Sequence, residues 1–286
     1  MKRSLLLVIA ALAAASLACS ININLPDLPR LKTGPTETLE ISEPLPDAEV
    51  VDVSLRMGAG NFKLSPGAEG LVDGVIQYNV AEWKPTVTNE EGKFTIEQGS
   101  SKDAVGLPDG NSVVNDWELK LGDIPLNLTI NAGAYKGTVD LTGLRLRRLD
   151  ISDGASDSEV TFDSVNPEEM EKLTYNTGAS KVRLSGLANA NFAEMSFTGG
   201  AGDYTLDFSG ELQRDATVTV ETGISNVRLI IPSGTAAKVT VTSGLGNVRT
   251  QGAWTQTGDT YTTSGAGPEL TIEVKMGVGD LTLVNK

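Results

Sequence analysis

A motif of the form apolar-x-apolar-x-x-Gly recurs seven times between residues 126 and 286 of this 286-residue chain. Successive copies begin 21, 24, 22, 23, 21 and 33 residues apart. A nearly fixed period of this size is typical of one supersecondary unit that stacks on copies of itself. We therefore predict an all-β fold, a single-stranded parallel β-solenoid whose regular rungs have 21–24 residues. The seven copies end at Gly133, Gly154, Gly178, Gly200, Gly223, Gly244 and Gly277.

Each copy predicts one rung: a strand, a bend at the glycine, a second strand and a return loop. Alternation within a strand points every second side chain inward, so equivalent residues of stacked rungs form columns. The bend predicts a corner that needs either a positive φ or a close approach of two backbones, and both favour glycine. Two inward columns are expected, one of Leu128, Leu149, Leu173, Met195, Val218, Val239 and Ile272, the other of Ile130, Ile151, Tyr175, Phe197, Val220, Val241 and Val274.

Three departures from the repeat carry predictions of their own. After Gly133 and Gly154 the second apolar pair comes two residues later than in the other copies, which predicts a wider corner. The 33-residue spacing exceeds a rung by about one hairpin, so we predict an inserted hairpin that contains Trp254 and Tyr261 and shields an end. Residues 166–171 (Asn-Pro-Glu-Glu-Met-Glu) predict a single capped helical turn in a return loop.

The first 18 residues have the organisation of a secretory signal peptide, with Lys2 and Arg3 followed by an apolar stretch too short to span a bilayer. The stretch ends in Ser-Leu-Ala-Cys, which resembles the bacterial lipobox and implies cleavage before Cys19 and lipidation of that residue. Export with a free thiol is the alternative, because Ser-x-Ala also fits an ordinary cleavage site. Cys19 is the only cysteine, so the mature chain can form no internal disulfide.

The rest of the chain divides into three predicted parts. Residues 19–38 begin at the lipidated cysteine, contain three prolines and predict an extended tether to the cell membrane or outer surface. Residues 39–125 predict a smaller β-rich region with a hairpin at 86–96 and a polar loop at 100–112. Residues 126–286 are the solenoid. The segment 53–58 is itself a copy of the motif, so the two regions are related or share a continuous sheet.

The segment Met57–Leu64 (MGAGNFKL), together with residues 71–80 and 82–85 (Glu-Trp-Lys-Pro), resembles the N-terminal domain of the bacterial toast-rack family. Segments 243–248 and 276–283 resemble the putative-adhesin β-solenoid repeats and the C-terminal domain of the cell-wall-antibiotic-response proteins. Together these resemblances cover residues 39–286. They imply a single-stranded parallel β-solenoid on an exported protein, and they imply no established activity.

The composition excludes several kinds of chemistry. The chain has no histidine, which excludes Ser-His-Asp and Cys-His catalysis and removes the commonest transition-metal ligand. With one cysteine it has no cluster for zinc. The net charge of −14 is spread along the chain and argues against nucleic acid, which requires a basic face. We expect no catalytic residue, no metal and no cofactor.

Charged clusters are the first candidates for chemistry. An acidic run at Asp150, Asp153, Asp157, Glu159 and Asp163 would supply paired carboxylates for glycoside hydrolysis or a weak Ca²⁺ site. Alternating positions predict instead that these residues form a solvated outer face. The basic cluster 145–148 (Arg-Leu-Arg-Arg) would bind an anionic ligand, or else project outward or pair with neighbouring aspartates.

Two further patterns have a structural and a functional interpretation. Residues 199–203 (Gly-Gly-Ala-Gly-Asp) resemble a calcium-binding nonapeptide repeat, but the acid comes one position early and a tight corner is expected. A hydroxyl-rich outward column would bind ice or glycan, although two acids interrupt it and threonine favours strands in any case. Its members are Thr129, Asp150, Thr174, Ser196, Thr219, Thr240 and Glu273.

The predicted anchor, the tether and the lack of a catalytic set favour a non-catalytic, surface-anchored lipoprotein, an adhesin-like binding or structural module. An envelope-stress scaffold that docks a membrane signalling partner is the alternative, and a glycan-active enzyme is a third. The expected partners are the membrane, through the lipid on Cys19, and an envelope glycan or protein. Because solenoid ends expose unpaired strands, a homodimer through an uncapped edge is also expected. The sequence names no ligand-binding residue.

Overall fold

The computed structural model describes residues 32–90, 92–100 and 113–286, and about three quarters of these residues lie in β-strands. Two short 3-10 turns, Ala81–Trp83 and Leu187–Ala190, interrupt the strands. The strands are β1 (Thr33–Glu43), β2 (Val51–Pro66), β3 (Val72–Val80), β4 (Thr86–Glu90), β5 (Lys93–Glu97), β6 (Asn115–Leu121), β7 (Leu126–Asp140), β8 (Leu146–Thr161), β9 (Met170–Ser185), β10 (Phe192–Asp207), β11 (Ala216–Ile231), β12 (Gly234–Gln251), β13 (Thr255–Thr257), β14 (Thr260–Thr263) and β15 (Gly265–Asn285).

The long strands stack in parallel, as the repeat predicts. The order is β2-β7-β8-β9-β10-β11-β15-β12, and each strand is one rung. We call the residues before the repeat glycine the first arm of a rung, and the residues after it the second arm. Because β2 pairs with β7 in register along both arms, the sheet is continuous across residue 125. The predicted fold class, a parallel β-solenoid, is confirmed.

The alternation of buried and exposed residues shows how a rung turns its corner. In β9, Leu173, Tyr175 and Thr177 are buried, then Gly178 and Ala179 are both exposed, and burial resumes at Ser180. Two consecutive exposed residues shift the phase of the alternation by one, so both arms bury their inward residues in the same space. The two arms therefore enclose a single core that runs the length of the stack.

The corner glycines are required by close backbone approach and not by a positive φ. A β-carbon on Gly178 would lie 2.4 Å from the carbonyl oxygen of Gly154, and one on Gly200 would lie 2.5 Å from that of Gly178. The same contact, 2.3–2.7 Å, recurs at every corner from Gly133 to Gly244. The sequence allowed either a positive φ or a close approach of two backbones as the reason for the glycine, and the structure shows the close approach.

The stacking order departs from the chain order at one end. β15 lies between β11 and β12 and is parallel to both, so β12 is the terminal rung although β15 follows it in sequence. The second arm of β15 carries Leu281 and Leu283 at inward positions, where β12 carries Val248 and Thr250. The more apolar rung thus takes the place that is covered on both sides, as burial of apolar surface favours.

The predicted inserted hairpin is confirmed. β13 and β14 pair with each other, and β14 pairs antiparallel with β12 over residues 237–240. Tyr261 of this hairpin is buried in the core, and Trp254 is partly exposed and packs against the same core. The hairpin covers part of the outer edge of β12.

Strands also flank the other end of the stack. On the second arm of β2 the sheet continues through β6, β3 and β1, and on the first arm through β5 and β4. The β4–β5 pair confirms the hairpin predicted at 86–96. β1 begins at Thr33, inside the segment predicted as a tether, because residues 37–43 pair with β3; Pro35 is tolerated at a register shift of this outermost strand.

The wider corners predicted after Gly133 and Gly154 are wrong. The pairing keeps one offset on both sides of the corner, between β7 and β8 and between β8 and β9, so neither corner contains extra residues. Residues 154–156 of β8 form no ladder pairs with β9, and the one register shift between β7 and β8 lies at the start of β7. The inward position that is apolar in later rungs holds Gly137 and Ser158 here because tyrosines need the space. A β-carbon on Gly137 would lie 2.4 Å from the ring of Tyr135, and the Ser158 hydroxyl is 2.8 Å from the Tyr175 hydroxyl.

The helical turn predicted at 166–171 is also wrong, since these residues form bends that lead into β9. Asn166 is buried, and its side chain bonds backbone groups of adjacent rungs instead of starting a helix. Its amide donates to the carbonyl oxygens of Leu146 (2.7 Å) and Ala190 (3.2 Å), and its Oδ1 accepts from the backbone N–H of Leu146 (3.1 Å). Tertiary hydrogen bonds have overridden the local signal.

Within the described residues, no helix has the length and apolarity to cross a membrane. The predicted signal peptide, Cys19 and nearly all of the predicted loop at 100–112 lie outside the described residues.

Replacement of Gly178 by alanine tests the corner. The new β-carbon would press on the Gly154 carbonyl, a backbone atom that cannot move alone, so we expect a loss of about 1–3 kcal/mol in the free energy of unfolding. Gly34→Ala is the control, since its β-carbon would meet its nearest atom at 3.7 Å. Denaturant titration should separate the two variants, and equal midpoints would refute the close-approach account.

Candidate binding groove at the glycine corner

The acidic run predicted on the sequence splits between two environments. Asp157 and Glu159 are exposed on the second arm of β8, where Glu159 lies 3.6 Å from the Arg183 guanidinium. Asp150 is half-buried and Asp163 is exposed. Asp153 differs from all of these: only 9% of it is exposed, and it points inward beside the corner. The prediction of a uniformly solvated acidic face is therefore wrong at Asp153.

Among the described residues, four hydroxyl groups donate hydrogen bonds to the buried Asp153 carboxylate. Its Oδ2 accepts from the Tyr175 hydroxyl (2.8 Å) and from Ser156 (3.1 Å). Its Oδ1 accepts from Thr177 and from Ser180 (3.3 Å). A buried carboxylate is tolerated when its lone pairs are occupied in this way. The donors come from β8 and from β9, so the cluster links two rungs.

Two tyrosines next to this cluster have unusual titration behaviour. Burial raises the pKa of Tyr135 to about 12 and also raises the pKa of Tyr175, and the Asp153 carboxylate acts in the same direction on both. The Tyr135 hydroxyl is buried and has no hydrogen-bond partner among the described residues. Both groups therefore remain neutral well above the pH at which an exposed tyrosine loses its proton.

The basic cluster at 145–148 pairs with acidic residues, as its structural interpretation predicts, but with glutamates. Arg145 lies 2.6 Å from Glu168, and Arg148 lies 3.2 Å from Glu171. The hydroxyl-rich column is present on the outer face of the first arms, with Glu273 preceding Thr240 in the stack. The segment 199–203 forms a tight corner, in which Gly200 stacks on Gly178.

A groove opens where the rungs meet the N-terminal strands. The first arm of β2 pairs with β5 over residues 52–56, and its second arm pairs with β6 over residues 61–66. On the edge of β2 that faces away from β7, no strand in the described part of the chain pairs with the corner between these two ladders. The gap forms a groove of about 660 Å³.

Side chains replace the missing strand along the base of the groove. Gln98 Oε1 accepts from the backbone N–H of Gly58 (2.8 Å) and from the side-chain amide of Asn115 (2.8 Å). The Asn115 amide also donates to the carbonyl oxygen of Ala59 (2.5 Å). These bonds satisfy backbone groups that a neighbouring strand would otherwise pair, and they hold the corner of β2 in place.

The groove combines uncharged polar side chains with apolar surface and one exposed ion pair. Arg56 and Glu97 form an exposed ion pair at 3.5 Å, and Trp83 is a largely buried wall. Both carboxylates that line the groove are engaged, Glu97 by Arg56 and Asp153 by hydroxyls. Such a set suits a polar, uncharged ligand that donates and accepts hydrogen bonds. The lining consists of residues 56–59, 83, 97–100, 131–133, 152 and 153.

Sequence reasoning missed this groove. Gln98 lies 40 residues from Gly58 along the chain, and nothing in the repeat signals that the two meet. The repeat predicted the corner glycines and contains Asp153, but it gave no sign that the strands beside the β2 corner separate. Among the residues that the structure describes, no three carboxylate, histidine or cysteine groups converge as metal ligands would.

Tyr135→Phe tests the titration of the buried cluster. Above pH 10 the unfolded chain releases the phenolic proton, whereas the folded chain keeps it until about pH 12. The contribution of Tyr135 to the free energy of unfolding is therefore complete well below pH 10. It falls above pH 10, with a limiting slope of about 1.4 kcal/mol per pH unit. We expect the variant to be at least as stable as the parent chain at pH 8, because it removes a buried hydroxyl that has no hydrogen-bond partner among the described residues. Between pH 10 and pH 11 it should lose about 1 kcal/mol less than the parent chain in urea titrations, since the unfolded phenol is already half ionised at pH 10. Identical losses in the two proteins would contradict the buried, neutral tyrosine.

Comparison with known proteins identifies the family. The sequence matches the family described as "N-terminal domain of toast_rack, DUF2154" over residues 32–172 and again over 166–230, which together exceed half of the chain. None of the curated proteins matches it.

Solved structures of similar shape come from bacterial proteins. A "putative cell adhesion protein" from Clostridium sporogenes is 20% identical, with 88% of this chain and 99% of that chain covered and a TM-score of 0.47. A "putative adhesin" from Bacteroides fragilis is 10% identical, with 87% and 97% covered and a TM-score of 0.37. With the family match over more than half of its length, the chain belongs to the toast-rack N-terminal domain family.

Proposed function

We propose that this protein is a non-catalytic, exported lipoprotein that is held at the cell surface by Cys19 and binds an envelope glycan through the corner groove. The observation that carries the proposal is the groove itself, with amide and hydroxyl groups beside a tryptophan wall and with both carboxylates engaged. Sugar hydroxyls are both donors and acceptors, and they match neutral polar groups of this kind.

The sequence supports the proposed location. The predicted signal peptide and the lipobox-like sequence at Cys19 export the chain and attach it to a membrane. Multiple acyl chains give stable anchoring where a single chain gives only marginal binding. Thirteen residues, 20–32, separate Cys19 from the start of β1.

The anchor is tested by Cys19→Ser in cells. We expect the parent chain in the membrane fraction and the variant in the soluble exported fraction, because the thiol is the attachment point for the lipid. Immunoblots of the two fractions give the measurement. A variant that stays in the membrane fraction would contradict the lipid anchor. It would not contradict the proposed binding site in the groove.

The groove is tested with an array of bacterial cell-wall and capsular oligosaccharides and the mature domain as the probe. We expect binding that falls at least ten-fold in the double variant Arg56→Ala, Asn131→Ala, since both side chains line the groove. The double variant Lys63→Ala, Asn127→Ala is the matched control, because it removes one cation and one amide from β2 and β7 outside the groove.

Equal binding by the two double variants would contradict the groove as the site. No binding to any oligosaccharide would favour the alternative, an envelope scaffold that docks a membrane signalling partner. Crosslinking in intact cells followed by mass spectrometry distinguishes these outcomes, since a scaffold is expected to capture a membrane protein.

A further inference from the structure

The terminal rung β12 is covered along one arm and open along the other. Its first arm pairs with β14 over residues 237–240, and β13 lies outside β14. In the described part of the chain, no strand pairs with the outer edge of its second arm, which we call the open edge, residues 246–251. The sheet therefore extends two strands further along the first arm of β12 than along its second arm.

Inward side chains of the open edge lie exposed where their counterparts in other rungs are buried. Val248 is half-buried and Thr250 is exposed. Their neighbours on β15, Leu281 and Leu283, are buried by β12 itself. The core at this end therefore lacks the cover that one more strand would give.

The backbone of the open edge presents hydrogen-bonding groups to that missing strand. In second arms, residues with inward side chains donate their N–H groups to the following rung, as Leu141 does to Thr161 and Phe208 to Ile230. The equivalent residues on β12 are Gly246, Val248 and Thr250, because they also point inward. Their N–H groups face outward, away from β15.

The two ends of the sheet differ in how they resist pairing with other chains. The outermost strand at the other end, β1, carries Pro35 and three glutamates, Glu37, Glu40 and Glu43. Prolines and charges are the features that proteins use to keep edges from associating. Between residues 242 and 251, β12 has no proline and no acid, and its single charge, Arg249, pairs with Asp280 at 3.1 Å.

Charge and apolar surface indicate what the open edge would accept. On the outer face of the second arms, acids and bases alternate from rung to rung, as in Lys136, Asp157, Lys181 and Asp203. At the end of this face, Asp280 of β15 accepts hydrogen bonds from Asn247 and Arg249 of β12. On the other side of β12, beyond the open edge, no described acidic residue bonds these two side chains. Leu245, 75% exposed, adds an apolar surface at the corner.

We propose that the open edge binds an extended strand of a partner protein, whose apolar residues cover Val248 and Thr250 and whose outward acid meets Asn247 and Arg249. This is strand addition to a sheet edge, with main-chain hydrogen bonds giving affinity and alternate side chains giving specificity. A second copy of this chain fits less well, since β13 and β14 project about 10 Å beyond the open edge and would collide with the opposing first arms. A single strand fits beneath that projection.

The probe is a fluorescent synthetic peptide of residues 276–286, the sequence that already pairs with the other edge of β12. We expect saturable binding to the mature domain by anisotropy and none for the same residues scrambled. Thr250→Pro removes an outward N–H that β15 does not use, so binding should fall at least ten-fold. Thr250→Ala keeps that N–H and should bind within two-fold of the parent chain.

Thr250→Lys is the second variant, because it places a charge under the incoming strand without changing the backbone, and it should also weaken binding at least ten-fold. Melting curves confirm that each variant is folded. Equal binding by the alanine, proline and lysine variants would overturn the proposal. A concentration-dependent dimer in sedimentation that Thr250→Pro abolishes would overturn it in favour of a second copy.

Discussion

The close stacking of glycines at one corner of the molecule is the constraint on which the rest of the structure depends. Every corner from β7 to β12 lies so near a glycine carbonyl oxygen of the adjacent rung that a β-carbon would stand 2.3–2.7 Å from it. Strands of one sheet are separated by about 4.8 Å, and a rung that folds back on itself must keep this spacing through the bend. The glycine column makes that possible, and the shift in alternation at the same place turns both arms toward one core.

A band of buried polar groups lies just inside this corner in the middle of the stack. The Asp153 carboxylate accepts hydrogen bonds from hydroxyls of β8 and β9, and Tyr175 stacks on Phe197 of the next rung at 5.6 Å. Leaving such a carboxylate unpaired costs about 1–3 kcal/mol or more, so a slipped register between these strands is disfavoured. Apolar columns alone would tolerate slippage by a whole side-chain repeat, whereas this cluster has one satisfied arrangement.

Both surfaces proposed for binding lie where the repeat is interrupted. At one end, the outer edge of β2 pairs with β5 along its first arm and with β6 along its second arm, and the corner groove opens between these two strands. At the other end the hairpin of β13 and β14 covers one arm of β12 and leaves the second arm open. The regular rungs between them have paired backbones, and their outer faces carry paired charges such as Glu159 and Arg183. A stack of uniform rungs supplies rigidity, and its irregular ends supply distinct sites.

The sequence by itself determined the fold class, because a glycine every 21–24 residues between alternating apolar residues admits little besides stacked, bent strands. It also determined the hairpin around Trp254 and the one at 86–96, since local turn and strand signals decide such elements. Only the tertiary structure decided that β15 lies inside β12, that Asp153 is buried, that Gly137 and Ser158 make room for tyrosines, and that Gln98 reaches Gly58. Each of these depends on contacts between residues distant in the chain, and a repeat pattern shows which residues point inward without showing what they meet there.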